Sequence, residues 1–168
     1  MRKISKVLPL AAAALAGGLV AAQAQARTIT LKTADGDPAG TATLTETPNG
    51  VMIAAELKNL SPGWHGFHIH ETGQCSPGFF AAGGHFAPDG NVHGYQSPTG
   101  AHAGDLPNIH VAEDGTAKVE VLNHRVTMTG TRYALQDDDG SALIVHAKAD
   151  SYEADPKAGA RVACGVIK

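Results

Sequence analysis

The stretch "GFHIHETGQC" (66–75) sets His68 and His70 one residue apart within an apolar run and follows them with Cys75. In an extended chain, side chains alternate between faces with a period of two, so both imidazoles project to the same side of a backbone stiffened by Phe67 and Ile69. Two nitrogen donors facing one point suit a metal ion, although an isolated His-x-His equally suits the polar face of a surface strand. His85, His93 and His102 fall between residues 71 and 107, with Asp105 just beyond the last of them, and His146 sits in the apolar run "ALIVHAKAD". Three histidines plus one carboxylate make a closed tetrahedral set for a divalent ion such as zinc, with no position left for substrate. Four histidines suit a copper that cycles between two oxidation states. His68, His70 and His146 supply three of these, and the fourth must come from the loop.

The elements that position these residues read as strands. Short segments rich in Thr, Val and Ile recur at 28–34, 40–47, 50–59, 65–70, 108–121, 124–128 and 141–149, separated by Gly, Pro, Asn and Asp. Asp114-Gly115, inside the fifth segment, predicts a hairpin turn. No helical stripe interrupts them, so the expectation is an all-β antiparallel sandwich or barrel. Residues 71–107 and 150–163 break the rhythm. Loops of this length within a compact domain tend to be functional, and the first carries most of the metal-capable side chains.

Residues 1–26 run from a basic start (Arg2, Lys3, Lys6) through an apolar Ala/Leu/Val segment to Ala-Gln-Ala-Gln-Ala. That pattern predicts a secretory signal peptide cleaved after Ala24 or Ala26. The apolar segment is short for a bilayer span and is interrupted by Pro9, Gly17 and Gly18, and no later stretch is apolar enough to span, so no stable membrane association is expected. What remains, 27–168, is long enough for one domain with a substantial core. Losing three cations from a chain of 13 Lys+Arg and 16 Asp+Glu leaves a net charge of −6. Such a domain has no general electrostatic reason to bind nucleic acid or anionic lipid. Export to a periplasm or to the medium puts Cys75 and Cys164, the two cysteines of the chain, where disulfides persist, and predicts that they pair.

"GFHIHE", "GGHFAP", the "HG" at 93–94, "HAGDLPN", "LIVHAKAD" and "RVACGVI" stand in the order and near the spacing of the copper/zinc superoxide dismutases, particularly the exported bacterial kind. The chain resembles that family over roughly 28–168. The resemblance implies a Greek-key, immunoglobulin-like β-sandwich with two long functional loops. It implies one copper per chain on His68, His70, His85 and His146, and one zinc on His85, His93, His102 and Asp105. His85 would bridge both ions through an imidazolate, Asp150 would accept hydrogen bonds from His68 and His93, and Cys75 and Cys164 would form the family's disulfide. Superoxide would be the substrate, guided by Arg161 and consumed in two one-electron halves that give dioxygen and hydrogen peroxide, with His85 taking up a proton in the first half and giving it up in the second. The role so implied would be antioxidant defence outside the cytoplasm.

The other histidines carry less. His65 matches a structural position of the family, and His110 and His124 lie in or beside strands with no partner motif, so all three are expected to be structural or surface residues. Asp137, Asp138 and Asp139 read as a solvated turn, and Lys148 and Lys157 as solubility residues more readily than as anion guides. Two other readings compete: a copper-binding or copper-delivering module with the same fold and no turnover, and a purely structural β-sandwich. Loss of His85, Arg161 or a zinc ligand would favour the module, and all are present. The sequence leaves monomer and homodimer both open.

Overall fold

A computed structural model describes residues 26–168, so the signal-peptide reading lies outside the described residues except for Ala26. Among the described residues nine strands form: β1 (Ala26–Thr33), β2 (Pro38–Thr47), β3 (Gly50–Leu57), β4 (Gly63–His65), β5 (Phe67–His70), β6 (Ile109–Val111), β7 (Ala117–Asn123), β8 (Ser141–His146) and β9 (Arg161–Ile167). Seven of them make one curled antiparallel sheet in the order β5-β8-β9-β1-β2-β3-β7, and β4 pairs with β6 in a second, two-stranded sheet. The fold is all-β, as the alternating segments predict. Among the described residues the only helical element is a single 3-10 turn at Phe80–Ala82, and no helix is long and apolar enough to cross a membrane.

Two kinds of strand follow from two kinds of burial. In β3, Val51, Ile53, Ala55 and Leu57 face the core while the residues between them face out, the alternation of a sheet with one solvated side. β5 and β8 are buried at every position. Phe67, Ile69, Leu143 and Val145 point into the main core. On the opposite face, Ala142, Ile144 and Cys164 pack under Phe79 and Ala82 of the long loop. His68 and His70 alternate with Phe67 and Ile69 on β5, so they take this second face, under the loop.

Four local readings are corrected. The segment 65–70 is two strands, β4 and β5, separated at Gly66 and placed in different sheets. Asp114-Gly115 does make a tight turn, with Gly115 N–H donating to the Ala112 carbonyl at 2.9 Å. It joins no hairpin, because β6 pairs with β4 whereas β7 pairs with β3. Residues 124–128 form no ladder strand. Thr127 and Gln136 donate to the Tyr133 and Met128 carbonyls within the same loop, and Met128 N–H donates to the Glu46 carboxylate; these partners, and no ladder with a neighbouring strand, satisfy the backbone. The second long loop ends at Ala160, and Arg161–Ile167 is a central strand. The small residues Ala163, Cys164 and Gly165 hid it, since they give no apolar-polar alternation.

The disulfide forms as expected between Cys75 and Cys164, with Cα atoms 5.8 Å apart and a sequence separation of 89. It ties the start of the long loop to β9. A bridge closing so long a segment restricts the unfolded chain strongly, so Cys75→Ser/Cys164→Ser should lower unfolding stability by about 2–5 kcal/mol. Denaturant titration of the metal-free variant against the parent reads this directly. A difference within the error of the titration would mean that the loop is held without the bridge.

Candidate metal centre

The long loop reaches the metal-capable face of β5 by adding backbone to it. Ile69 N–H donates to the Gly104 carbonyl at 2.8 Å, Phe86 N–H to the Ile69 carbonyl at 2.9 Å, and Gly104 N–H to the Phe86 carbonyl at 2.8 Å. Three chain segments are thereby laced at one point. Gly104 has to be glycine, because a Cβ there would lie 2.2 Å from the Ile69 carbonyl oxygen. The lacing delivers His85, next to Phe86, and His102 and Asp105, on either side of Gly104, to the edge of β5. His146 arrives from the end of β8, paired with β5.

Two sets of donors result. One ligand atom each from His68, His70, His85 and His146 lie within 4.8 Å of one another, and so do one each from His68, His85, His93 and Asp105. Asp105 Oδ1 lies 2.9 Å from both His85 Nδ1 and His93 Nδ1. His102 Nδ1 is 3.4 Å from the same oxygen and is buried without a hydrogen-bond partner, as is His68 Nδ1. The His85 ring stands between the sets, its centroid 4.1 Å from that of His68 and 4.9 Å from that of His93.

Electrostatics separates the two sets. Burial pushes His70 down to about 2, His146 to about 3 and His85 to about 4, with neighbouring histidines adding to the effect at His70 and His146. These rings are neutral at physiological pH, with lone pairs free for a metal. Burial alone would lower His93 too, but hydrogen bonds to Asp105 and Asp150 outweigh it and raise His93 to about 9. The ring uses both nitrogens, Nδ1 on Asp105 and Nε2 at 2.9 Å from Asp150 Oδ2. Burial would likewise raise Asp105, but His102, His85 and His93 and the Gly94 N–H hold it well below the ordinary carboxylate range.

Asp150 joins the two sets. Its Oδ2 lies 2.6 Å from His68 Nε2, so one carboxylate touches a histidine of each. Asn108 orients it from behind, donating from Nδ2 to the Asp150 carbonyl at 2.9 Å and accepting the Asp150 N–H at 2.7 Å. Arg161, half-buried at the start of β9, donates to the carbonyls of Phe79 (2.5 Å) and Gly83 (2.6 Å). It forms no ion pair among the described residues. Gly83 O also lies 3.1 Å from His70 Nδ1.

The ligand residues expected from sequence lie close together, but His102 stands outside the second group of four donors, in which His68 takes the expected place of His102, and reaches it only through Asp105 Oδ1 at 3.4 Å; the three histidines set aside contribute to neither group. His65 is buried and bonded to the carbonyls of His146 and Ser61, while His110 and His124 are exposed. Lys157 is paired with Glu153 at 3.1 Å, which leaves little of its charge to draw an anion. Sequence reading gave no role to Phe79, Gly83, Gly104 or Asn108. Only Asn108 carried a signal, since an Asn beside a proline near the zinc-type ligands is a candidate for holding backbone; the others act through carbonyls or through the absence of a side chain.

Residues 38–167 match the family model described as copper/zinc superoxide dismutase. A superoxide dismutase [Cu-Zn] of Caulobacter vibrioides is 48% identical over 147 residues, covering 84% of each chain. One from Photobacterium leiognathi is 40% identical over 98% of this chain and 100% of its own. Among solved structures, the Cu/Zn superoxide dismutase of Brucella abortus is 32% identical with a TM-score of 0.69, covering 86% of this chain and all of that one. A double mutant of a SOD-like protein from Bacillus subtilis is 39% identical with a TM-score of 0.80, over 83% and 95%. With motifs, fold and relatives agreeing along most of its length, the chain belongs to the copper/zinc superoxide dismutase family.

Proposed function

We propose that the dismutase site of this enzyme is built from His68, His70, His85 and His146 around copper and from His85, His93, His102 and Asp105 around zinc. The observation that carries this is the pair of buried nitrogens without a hydrogen bond of good geometry, His68 Nδ1 among the copper donors and His102 Nδ1, 3.4 Å from Asp105 Oδ1, among the zinc donors. A buried nitrogen without a partner costs free energy that a bound cation recovers. The neutral imidazoles and the ionised Asp105 fit the two ions, softer nitrogen donors for copper and a nitrogen-oxygen set for zinc. Bound there, copper supplies the one-electron cycle that turns two superoxide anions into dioxygen and hydrogen peroxide, and zinc supplies a fixed positive charge.

The chain's residues do the rest. His85 belongs to both sets, with Nδ1 toward Asp105 and His93, and its Nε2 is the atom that holds and gives up a proton as the substrate is reduced. Asp150 keeps the Nε2 atoms of His68 and His93 as donors, which fixes both rings and leaves each Nδ1 for metal. Arg161 spends its hydrogen bonds on neutral carbonyls, so its charge is left to attract an anion to a domain that is acidic as a whole. The disulfide supports the reading that the chain works in an oxidising compartment, periplasmic or secreted.

Superoxide decay tests this assignment on the disulfide-intact protein loaded with copper and zinc. His146→Ala should lose copper and return decay to the spontaneous rate. Arg161→Ala should keep both metals and slow turnover by roughly tenfold with a weaker salt dependence; unchanged kinetics would remove Arg161 from the mechanism. Metals bound in full with no acceleration would make the chain a copper carrier.

Zinc binding tests the other set. His93 lies above its ordinary value, so the stability it contributes to the metal-free chain is complete below about pH 6.5 and is lost as pH rises through about 9. Zinc must displace that proton. Its apparent affinity should therefore rise by about tenfold per pH unit from pH 7 to 9 and then level off, and calorimetry at pH 7 in buffers of different ionisation enthalpy should register the release of about one proton. A flat profile over that range would take His93 out of the zinc set.

A further inference from the structure

Glu71 follows β5 directly and belongs to neither donor set, but it grips the segment on which three site residues depend. Its Oε1 accepts the Gly84 N–H at 2.8 Å, and its own N–H donates to the Gly84 carbonyl at 3.0 Å. One peptide segment is thus held from both sides by one residue. Gly83 leaves the room for this: its φ is +72°, and a Cβ there would sit 2.4 Å from Glu71 Oε1. The Gly83 carbonyl holds Arg161 Nη2 at 2.6 Å and lies 3.1 Å from His70 Nδ1, and His85 is the residue after Gly84. Two adjacent glycines have wide backbone freedom, so an external tie must fix the direction of that carbonyl. A carboxylate accepting a backbone N–H is among the stronger hydrogen bonds available for the purpose.

We propose that Glu71 is a positioning residue of the dismutase site: it clamps Gly83-Gly84 so that the Gly83 carbonyl aims Arg161 at the incoming anion and fixes His70 while His85 enters both donor sets. The proposal rests on the roles given above to Arg161, His70 and His85. It separates two effects that Glu71 combines, because its negative charge opposes anion approach while its hydrogen bond organises the site that receives the anion.

Two variants pull these apart in the copper- and zinc-loaded protein. Glu71→Gln removes the charge and keeps an oxygen at the same reach. Glu71→Asp keeps the charge and withdraws it by one methylene from the Gly84 N–H. The readouts are the dissociation constant of azide, a monovalent anion that ligates copper, from optical titration, the Cu(II) electron paramagnetic resonance spectrum, and kcat/KM. Glu71→Asp should weaken azide by roughly three- to tenfold, lower kcat/KM and broaden or shift the copper spectrum at full metal content. Glu71→Gln should leave the spectrum as in the parent, with azide bound equally or more tightly. Loss of function in Glu71→Gln with none in Glu71→Asp, or no change in either, overturns the proposal. Arg161→Ala is the control: if it leaves azide binding unaltered, the role of Arg161 itself fails, whereas weakened azide in Arg161→Ala beside an unaffected Glu71→Asp rejects Glu71 alone.

Discussion

A carboxylate taken out of water must be compensated, and two such carboxylates organise this centre. Asp105 collects His85, His93 and the N–H groups of Gly94 and His102; Asp150 collects His68, His93 and the Tyr152 N–H. Their partners come from β5, from both ends of the first long loop and from the second, so neutralising two charges draws four stretches of chain to one point. His93 sits between the two acids and is the link that makes a single network of them. A network of this kind stabilises only when every member is satisfied, which is why burial, bonding and the order of the motifs are so tightly coupled.

Around that network the sheet works as a wall with two useful faces. The inward face of β5, β8 and β9 makes a conventional apolar core, and the outward face, kept dry by the loop and the disulfide, makes the chemical site. Lowered basicity of His70, His85 and His146 is a direct result of that dryness. Arg161 is the counterweight, a half-buried cation held by carbonyl oxygens. It stands under Phe80, whose ring centroid is 5.8 Å from the guanidinium carbon and whose side chain is 81% exposed.

Much of this was legible in the sequence because ligands are side chains and strands have a period. His-x-His on an extended segment, histidines clustered in a loop and a histidine ending an apolar run all meet in three dimensions. The failures share a cause. β9 is hidden in the sequence because its buried positions are small, residues 124–128 look like a strand because periodicity cannot report where the backbone finds its partners, and Asp114-Gly115 looks like a hairpin turn because a turn does not say which sheet receives the next strand. The contributions of Phe79, Gly83 and Gly104 were invisible for a further reason: a carbonyl or a missing Cβ has no letter of its own, and its use appears only when another segment arrives.

β9 has a consequence for the order in which the molecule can be assembled. The last strand in sequence, it lies between β8 and β1, the first, and it carries both Arg161 and the second cysteine. The sheet lacks one of its inner strands until residue 167 is available, and the pairing of β9 with β1 joins segments far apart in the chain, the kind of contact that slows folding. A chain that reaches only as far as β8 therefore holds the histidines of β5 and of the first long loop without the strand beside them, and without Arg161 and Cys164.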